Sequence, residues 1–492
     1  MPRLDATTLP TLGAALPIPG YDRAAVTPGI VHLGVGGFHR SHQASYVDRL
    51  LGAGGPRDWG ICGVGVLPGD RRMAEVMAAQ DCLYTLAVRH PDGSLEARVV
   101  GSIVEYLFAP DDPGAVVERM AAPGTRIVSL TVTEGGYNTS PVTGAFDDAA
   151  PAVVADLRPG APPRTVFGLV TEALVRRRAR GLAPFAVVSC DNLPGNGHVA
   201  RDAVAAFAAL RDPGLGDWVA AEVPFPGSMV DRITPATTDA DRARIAEATG
   251  VEDAWPVVCE PWTQWVLEDA FPGGRPPLEE VGVQLVDDVA PYELLKLRLL
   301  NAGHQVLAHL GRLAGHAYVH EACADPLFRD LLLGYLEEEA IPTLPPVPGI
   351  DLRAYVDALV GRFGNAAVGD TLARICENAS DRVPQFLVPV LRARLAAGGE
   401  VRRSVAVLAG WARTAEGTDD LGRPLELADP RRDALAARAR DADPLAFLRD
   451  RDLFGDLADD PRVAAAFTAT LTSLRRRGAR ATVADVVRGP VG

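Results

Sequence analysis

The stretch "GIVHLGVGGFHRSHQASYVDRLLGAG", Gly29–Gly54, decides the fold. A short β-rich run, Ile30–Leu33, meets three glycines, Gly34, Gly36 and Gly37, and then a pattern that reads as a helix until Gly52 and Gly54 stop it. A strand that feeds a helix through glycines lets the backbone come close to a diphosphate. The unpaired N–H groups of the first helical turn then face the anion. The sixth position of the full glycine fingerprint is His39, so the spacing alone also fits a tight structural turn.

The second strand adds weight to the nucleotide reading. "DWGICGVGVLPGD" ends in Asp70, 33 residues beyond Gly37. The simplest fingerprint expects an acidic residue about 20 residues on; a helix after His39 and the "GAGGPRD" loop take up the difference. A carboxylate there accepts hydrogen bonds from the adenosine ribose hydroxyls, which favours NAD. Arg71 and Arg72 follow it, and arginine is the residue that meets a 2′-phosphate, so NADP is not excluded.

Further along, "ARVVGSIVEYLFAP", "TRIVSLTVTEGGYN" and "FAVVSCDNLPGNG" read as strands, and "VFGLVTEALVRRRARGL" reads as a helix. Strands alternating with helices predict crossover units and a mainly parallel sheet. From Pro291 onward the texture changes to long helices rich in alanine and leucine. The predicted architecture is therefore α/β, with a Rossmann-type dinucleotide-binding domain over 1–285 and a largely α-helical substrate domain over 286–492. Two domains also suit 492 residues, since single cores stop growing at about 250–300.

The bulk numbers exclude several classes. A net charge of −14 leaves no basic surplus to displace counterions from nucleic-acid phosphates. No apolar run reaches the ~18 residues of a membrane span, and the N-terminus lacks the pattern of a secretory signal. The six cysteines are separated by nineteen residues or more, without zinc-knuckle or CxxC spacing. Buried free thiols in a reducing cytoplasm are expected.

The chemistry is concentrated in "YELLKLRLLNAGHQVL", Tyr292–Leu307. On an α-helical wheel with Lys296 at zero, Glu293 falls at about 60°, His304 at about 80° and Asn301 at about 140°. The wet edge is expected on the other side, at Arg298, Gln305 and His309. Burying Lys296 and its neighbours without partners would cost several kcal/mol. A plain Glu293–Lys296 ion pair at i, i+3 is one explanation. The other is catalysis: a lysine kept from water can exchange a proton near neutral pH, and a nearby amide can stabilise charge on an alcohol oxygen. That set suits hydride transfer between an alcohol and a nicotinamide without a metal. No metal site is expected at His309, His316 and His320, because no carboxylate or cysteine completes a ligand set.

Seven blocks in order, "IVHLGVGGFHRSHQ", "SLTVTEGGYN", "SCDNLPGNG", "MVDRITP", "EPWTQWVLED", "KLRLLNAGH" and "RICENASDRVPQF", resemble the mannitol dehydrogenase family of metal-independent polyol dehydrogenases. The resemblance runs from Ile30 to about Phe454. It implies reversible NAD-dependent oxidation of a polyol secondary hydroxyl, D-mannitol to D-fructose first, by a cytoplasmic monomer with its active site in a cleft between the domains. It implies Lys296 as general base, with Asn192 and Asn301 as the amides that hold the reacting oxygen. His304 is then a substrate contact, Asp231 a carboxylate that helps set the charge of the lysine, and Glu293 a member of the proton route. Arg374 and Arg382 bind substrate, while Gly34, Gly36, Gly37, Phe38, Arg40, Asp70, Thr133 and Glu134 line the cofactor.

Two departures from the family pattern stand out. Arg382 replaces a common lysine, and arginine is longer, planar and always charged. Gly69 stands where a glutamate often repels a 2′-phosphate. Alternatives left open are a fructuronate reductase acting on mannonate, an arabinitol or sorbitol dehydrogenase, and a non-catalytic NAD or sugar sensor.

Overall fold

The computed structural model describes residues 1–13, 16–138 and 146–489. The chain divides into two compact units, Met1–Glu293 and Leu294–Gly492. Among its described residues the first carries eleven strands: β1 (Pro28–Leu33), β2 (Gly60–Gly65), β3 (Tyr84–Arg89), β4 (Leu95–Val100), β5 (Ile103–Phe108), β6 (Ile127–Leu130), β7 (Ala186–Ser189), β8 (Ser228–Asp231), β9 (Val257–Cys259), β10 (Gln264–Glu268) and β11 (Gln284–Val286).

Five of them form a parallel sheet in the order β5-β2-β1-β6-β7. Strand residues alternate between faces, and here both faces are apolar. Val31, Leu33, Val128, Leu130 and Val187 join a core with the helices Pro113–Ala121, Val166–Ala179 and Asn196–Arg211. Ile30, Ile61, Ile127 and Val188 join a second core with the helices Gln43–Gly52 and Arg71–Ala79. This is the doubly wound arrangement that parallel strands require. Two three-stranded sheets, β4-β3-β9 and β11-β10-β8, complete the unit.

The helix expected after the glycine turn forms as Gly37–Ser41 and Gln43–Gly52, broken at His42 by ψ of −90°. At Gly34 the backbone has φ of +95°, and an added Cβ would sit 2.2 Å from the Thr131 carbonyl oxygen. Only glycine fits both demands.

Among the described residues the second unit forms helices and no strand. Its centre is Ala302–Leu313, against which Leu372–Ile375 and Arg402–Ala415 pack. The expectation of a wet edge at Arg298, Gln305 and His309 is corrected. Gln305 and His309 are buried, Arg298 is half-buried, and other helices cover that side. Each of the three side chains makes a hydrogen bond within the protein. Gln305 donates to the Ile375 carbonyl at 3.2 Å, His309 Nδ1 meets Thr414 Oγ1 at 3.1 Å, and the Arg298 guanidinium donates to the Thr343 carbonyl.

All six cysteines are buried and none forms a disulfide. Burial pushes the Cys190 and Cys259 thiols up to about 12. No helix among the described residues is long and apolar enough to cross a membrane.

Candidate active site

In an open α/β sheet, ligands bind beyond the carboxyl ends of the strands, where the strand order reverses. From β1 the chain steps outward to β2 and β5, then returns to β6 and β7 on the other side. The switch lies between β1 and β6. Gly34–Gly37 follow β1, Thr133 and Glu134 follow β6, and Asn192 follows β7.

The loops there are held by buried polar groups that sequence reasoning passed over. His32, fully buried on β1, stacks on His39 with ring centroids 3.4 Å apart. The Thr131 hydroxyl donates to the Gly34 carbonyl at 2.6 Å, so its oxygen accepts from His32 Nε2–H at 2.8 Å. His32 Nδ1 then accepts from the Ser129 hydroxyl at 2.8 Å. Burial drives the His32 pKa down to about 3 and keeps the ring neutral. The glycine turn is thus tied to the next strand through a fixed tautomer. His32 and Ser129 face each other in the β1–β6 register, and two polar residues inside apolar strands were the available signal.

Asp191 plays the matching part after β7. Its carboxylate accepts from Val132 N–H at 3.1 Å, Thr133 N–H at 2.9 Å and the Tyr137 hydroxyl at 2.7 Å. These bonds hold Thr133 at φ of +63°, a conformation a β-branched residue adopts only under such constraint. Glu134 is placed in the backbone of that loop, and its side chain lies outside the described residues. Asn196 ties the same region down through Ser228, while Asn192 is exposed.

The remaining first-unit residues fall as follows. Gly36 is exposed, with open space where a Cβ would stand, so a phosphate can approach its backbone. Phe38 stacks on His42. Arg40 is buried and donates to the carbonyls of Gly36 and Trp255, bracing the turn from beneath. Asp70 Oδ2 accepts from Val66 and Leu67 N–H, both at 2.9 Å, which pins the carboxylate at the end of β2. These features fit a dinucleotide. Asp231, buried on β8, accepts from Trp262 Nε1–H at 3.1 Å. Glu293 is buried and accepts from Gly195 N–H at 2.9 Å, three residues beyond Asn192.

The two arginines after Asp70 are committed elsewhere. Arg71 forms a two-pronged pair with Asp111, at 2.5 and 3.2 Å, and lies over the Phe108 ring. Arg72 lies over the Trp255 ring, 4.9 Å from its centroid.

The second unit brings Lys296, Asn301 and His304 together on one continuous run. Lys296 and His304 are buried, and the His304 ring stacks on Phe363 with centroids 4.1 Å apart. Residues Lys296–Asn301 wind as a π-helix; the Ala302 N–H reaches the Leu297 carbonyl, five residues back. In an α-helix Asn301 stands about 140° round from Lys296. The wider i→i+5 turn narrows that angle. The π-turn, which periodicity could not reveal, changes the angle between Lys296 and Asn301 from the one an α-helix would set.

Arg374 and Arg382 lie beside the same run. Asp370, missed in the sequence, grips Arg374 with two hydrogen bonds of 2.6 Å, and the Arg374 side chain is 41% exposed. Arg382 donates to the Arg374 carbonyl at 3.1 Å. The described residues contain no group of three His, Cys, Asp or Glu side chains able to hold a metal ion.

Residues 28–280 match the mannitol dehydrogenase Rossmann domain, and residues 288–475 match the mannitol dehydrogenase C-terminal domain. The mannitol 2-dehydrogenase of Phaeosphaeria nodorum is 47% identical over 95% of this chain and 83% of that protein. That of Aspergillus fumigatus is 47% identical over 95% of this chain and 94% of its own length. Among solved structures, the ternary complex of Pseudomonas fluorescens mannitol 2-dehydrogenase with NAD and D-mannitol superposes with a TM-score of 0.92, at 44% identity over 99% of this chain and 100% of the other. A substrate-free D-sorbitol dehydrogenase superposes with a TM-score of 0.89, at 39% identity over 98% of this chain and 100% of the other.

Proposed function

The chain belongs to the mannitol dehydrogenase family, and from that premise we propose that it oxidises D-mannitol to D-fructose with NAD, and catalyses the reverse reduction. The observation that supports this reading is the run Lys296–His304, in which Lys296 and His304 are buried and Lys296–Asn301 winds as a π-turn. Bound NAD supplies the acceptor for the hydrogen that leaves the carbinol carbon, held by the glycine turn, Asp70 and the Thr133 loop.

Lys296 accepts the hydroxyl proton, and Asn192 and Asn301 donate to the oxygen as alkoxide character develops. His304, seated on Phe363, donates to a hydroxyl near the reacting carbon. Asp231 sets the charge state of the lysine, and Glu293 serves the proton route. Arg374, oriented by Asp370, and Arg382 bind the distal hydroxyls. Our reading includes a monomer in the cytoplasm, with residues 1–285 binding nucleotide and 286–492 binding substrate.

The test is NADH appearance across mannitol, arabinitol, sorbitol and mannonate, with EDTA present throughout. Mannitol should give the highest kcat/KM. Sorbitol is the second candidate, since a D-sorbitol dehydrogenase shares the fold. Brisk mannonate oxidation without polyol turnover would reverse the assignment, and inhibition by EDTA that zinc restores would overturn the metal-free chemistry.

Cofactor choice gives a second expectation. Gly69 removes one usual repulsion toward a 2′-phosphate, while Asp111 supplies another by occupying Arg71. An exposed ion pair is worth up to about 1 kcal/mol. Asp111→Ala should therefore raise kcat/KM with NADP by about 5-fold and leave the NAD value nearly unchanged. An unchanged NADP/NAD ratio would show that Arg71 is remote from the phosphate.

A further inference from the structure

A π-turn is an uncommon winding, found mostly as a single turn at functional sites. Among its described residues the second unit contains two of them, Lys296–Asn301 and Tyr335–Ala340, in mutual contact. Their junction is polar. Tyr335 is fully buried, and its hydroxyl donates to the carbonyl of Arg298, inside the first π-turn, at 3.1 Å. The Arg298 guanidinium reaches past the second π-turn to the Thr343 carbonyl.

The second π-turn is itself anchored. Glu339, fully buried, accepts from Arg403 N–H at 2.8 Å, Ser404 N–H at 2.9 Å and the Ser404 hydroxyl at 2.6 Å. Its carboxylate thereby caps the N-terminus of helix Arg402–Ala415, whose first turn would otherwise leave donors unsatisfied. That helix packs along Ala302–Leu313, the continuation of the first π-turn, and is joined to it through His309 and Thr414. The linkage is a closed ring: first π-turn, Tyr335, Glu339, capped helix, and back.

We propose that Tyr335 is a positioning residue, whose hydroxyl fixes the π-winding of Lys296–Asn301 so that base and amide address the same substrate oxygen. The inference rests on the roles given to Lys296 and Asn301 above. Without the hydroxyl, the Arg298 carbonyl loses its partner and the turn relaxes toward α geometry, which swings Asn301 away from Lys296. The effect falls on chemistry, because Tyr335 itself contacts neither cofactor nor substrate in this account.

The experiment is a double-mutant cycle of Tyr335→Phe and Asn301→Ala, read as kcat for mannitol oxidation, KM for NAD and melting temperature. The phenylalanine keeps the ring in its pocket and removes one oxygen. Tyr335→Phe alone should lower kcat by about 10-fold, the scale of a sub-ångström misplacement, with KM for NAD unchanged. In the Asn301→Ala background the same change should cost less than about 2-fold, because its target is gone. Equal losses in both backgrounds would mean general loosening of the helix and overturn the proposal. Near-normal kcat in Tyr335→Phe beside an impaired Asn301→Ala would overturn it and leave the catalytic reading standing. Near-normal turnover in Asn301→Ala would remove that reading, and the positioning role with it.

Discussion

Lys296→Ala is expected to lower kcat for mannitol oxidation by about 10²–10⁴-fold, the range typical of losing a general base. The side chain is buried, so water reaches the position poorly and makes a weak substitute for the amine. The NAD dissociation constant should stay close to the wild-type value, since the nucleotide-binding loops belong to Met1–Glu293 and the substitution lies in Leu294–Gly492. Removing the long side chain also opens a small void, so a modest drop in melting temperature is expected beside the kinetic loss. Isothermal titration with NAD and steady-state kinetics on one preparation separate these effects. Turnover within a few-fold of wild type would take the base assignment away from Lys296.

The second large effect is expected at the opposite end of the chemistry, in Gly34→Ala. The substitution places a Cβ 2.2 Å from a backbone oxygen of Thr131 and asks alanine to adopt φ of +95°. A side-chain clash could be relieved by a rotamer change, but a backbone carbonyl just past β6, whose own N–H is bonded to the Leu33 carbonyl, cannot turn aside cheaply. The conformation alone costs about 1–3 kcal/mol, and displacing the strand adds to it. The hydrogen bond from Thr131 to the Gly34 carbonyl would go too, and with it the link to His32. NAD affinity should fall by at least about 10-fold, together with a lowered melting temperature. Gly36→Ala is the internal control, because nothing lies within 4 Å of its added Cβ and its φ is negative at −109°. It should fold normally, and any loss of NAD binding there reports crowding of the ligand itself.

How much of this was legible in the residues divides by physical cause. The parallel sheet and its helices could be read because alternation and helical periodicity follow directly from burial. The switch-point loops could be found because glycines after an apolar strand mark a close backbone approach. The dense polar run around Lys296 was visible because a lysine in a leucine-rich helix needs an explanation. What stayed hidden depends on winding and on pairing across the chain. The wheel assumed α geometry, and the π-winding of Lys296–Asn301 leaves no mark in the periodicity. The same wheel put Gln305 and His309 in water, because a sequence cannot show that further helices will pack on that side. Asp191, His32, Asp370 and Tyr335 act by gripping residues 4 to 99 positions away, and only coordinates reveal the partner.

The central claim is that the Lys296 amine takes the hydroxyl proton, and the pH dependence of kcat/KM for mannitol oxidation in wild type and Lys296→Ala tests it most directly. The wild-type profile should rise with pH through one ionisation to a plateau. The variant should lose that ionisation and climb in proportion to hydroxide concentration, without a plateau. A variant that keeps the wild-type ionisation at reduced height would contradict the account, because the titrating base would then be some other group.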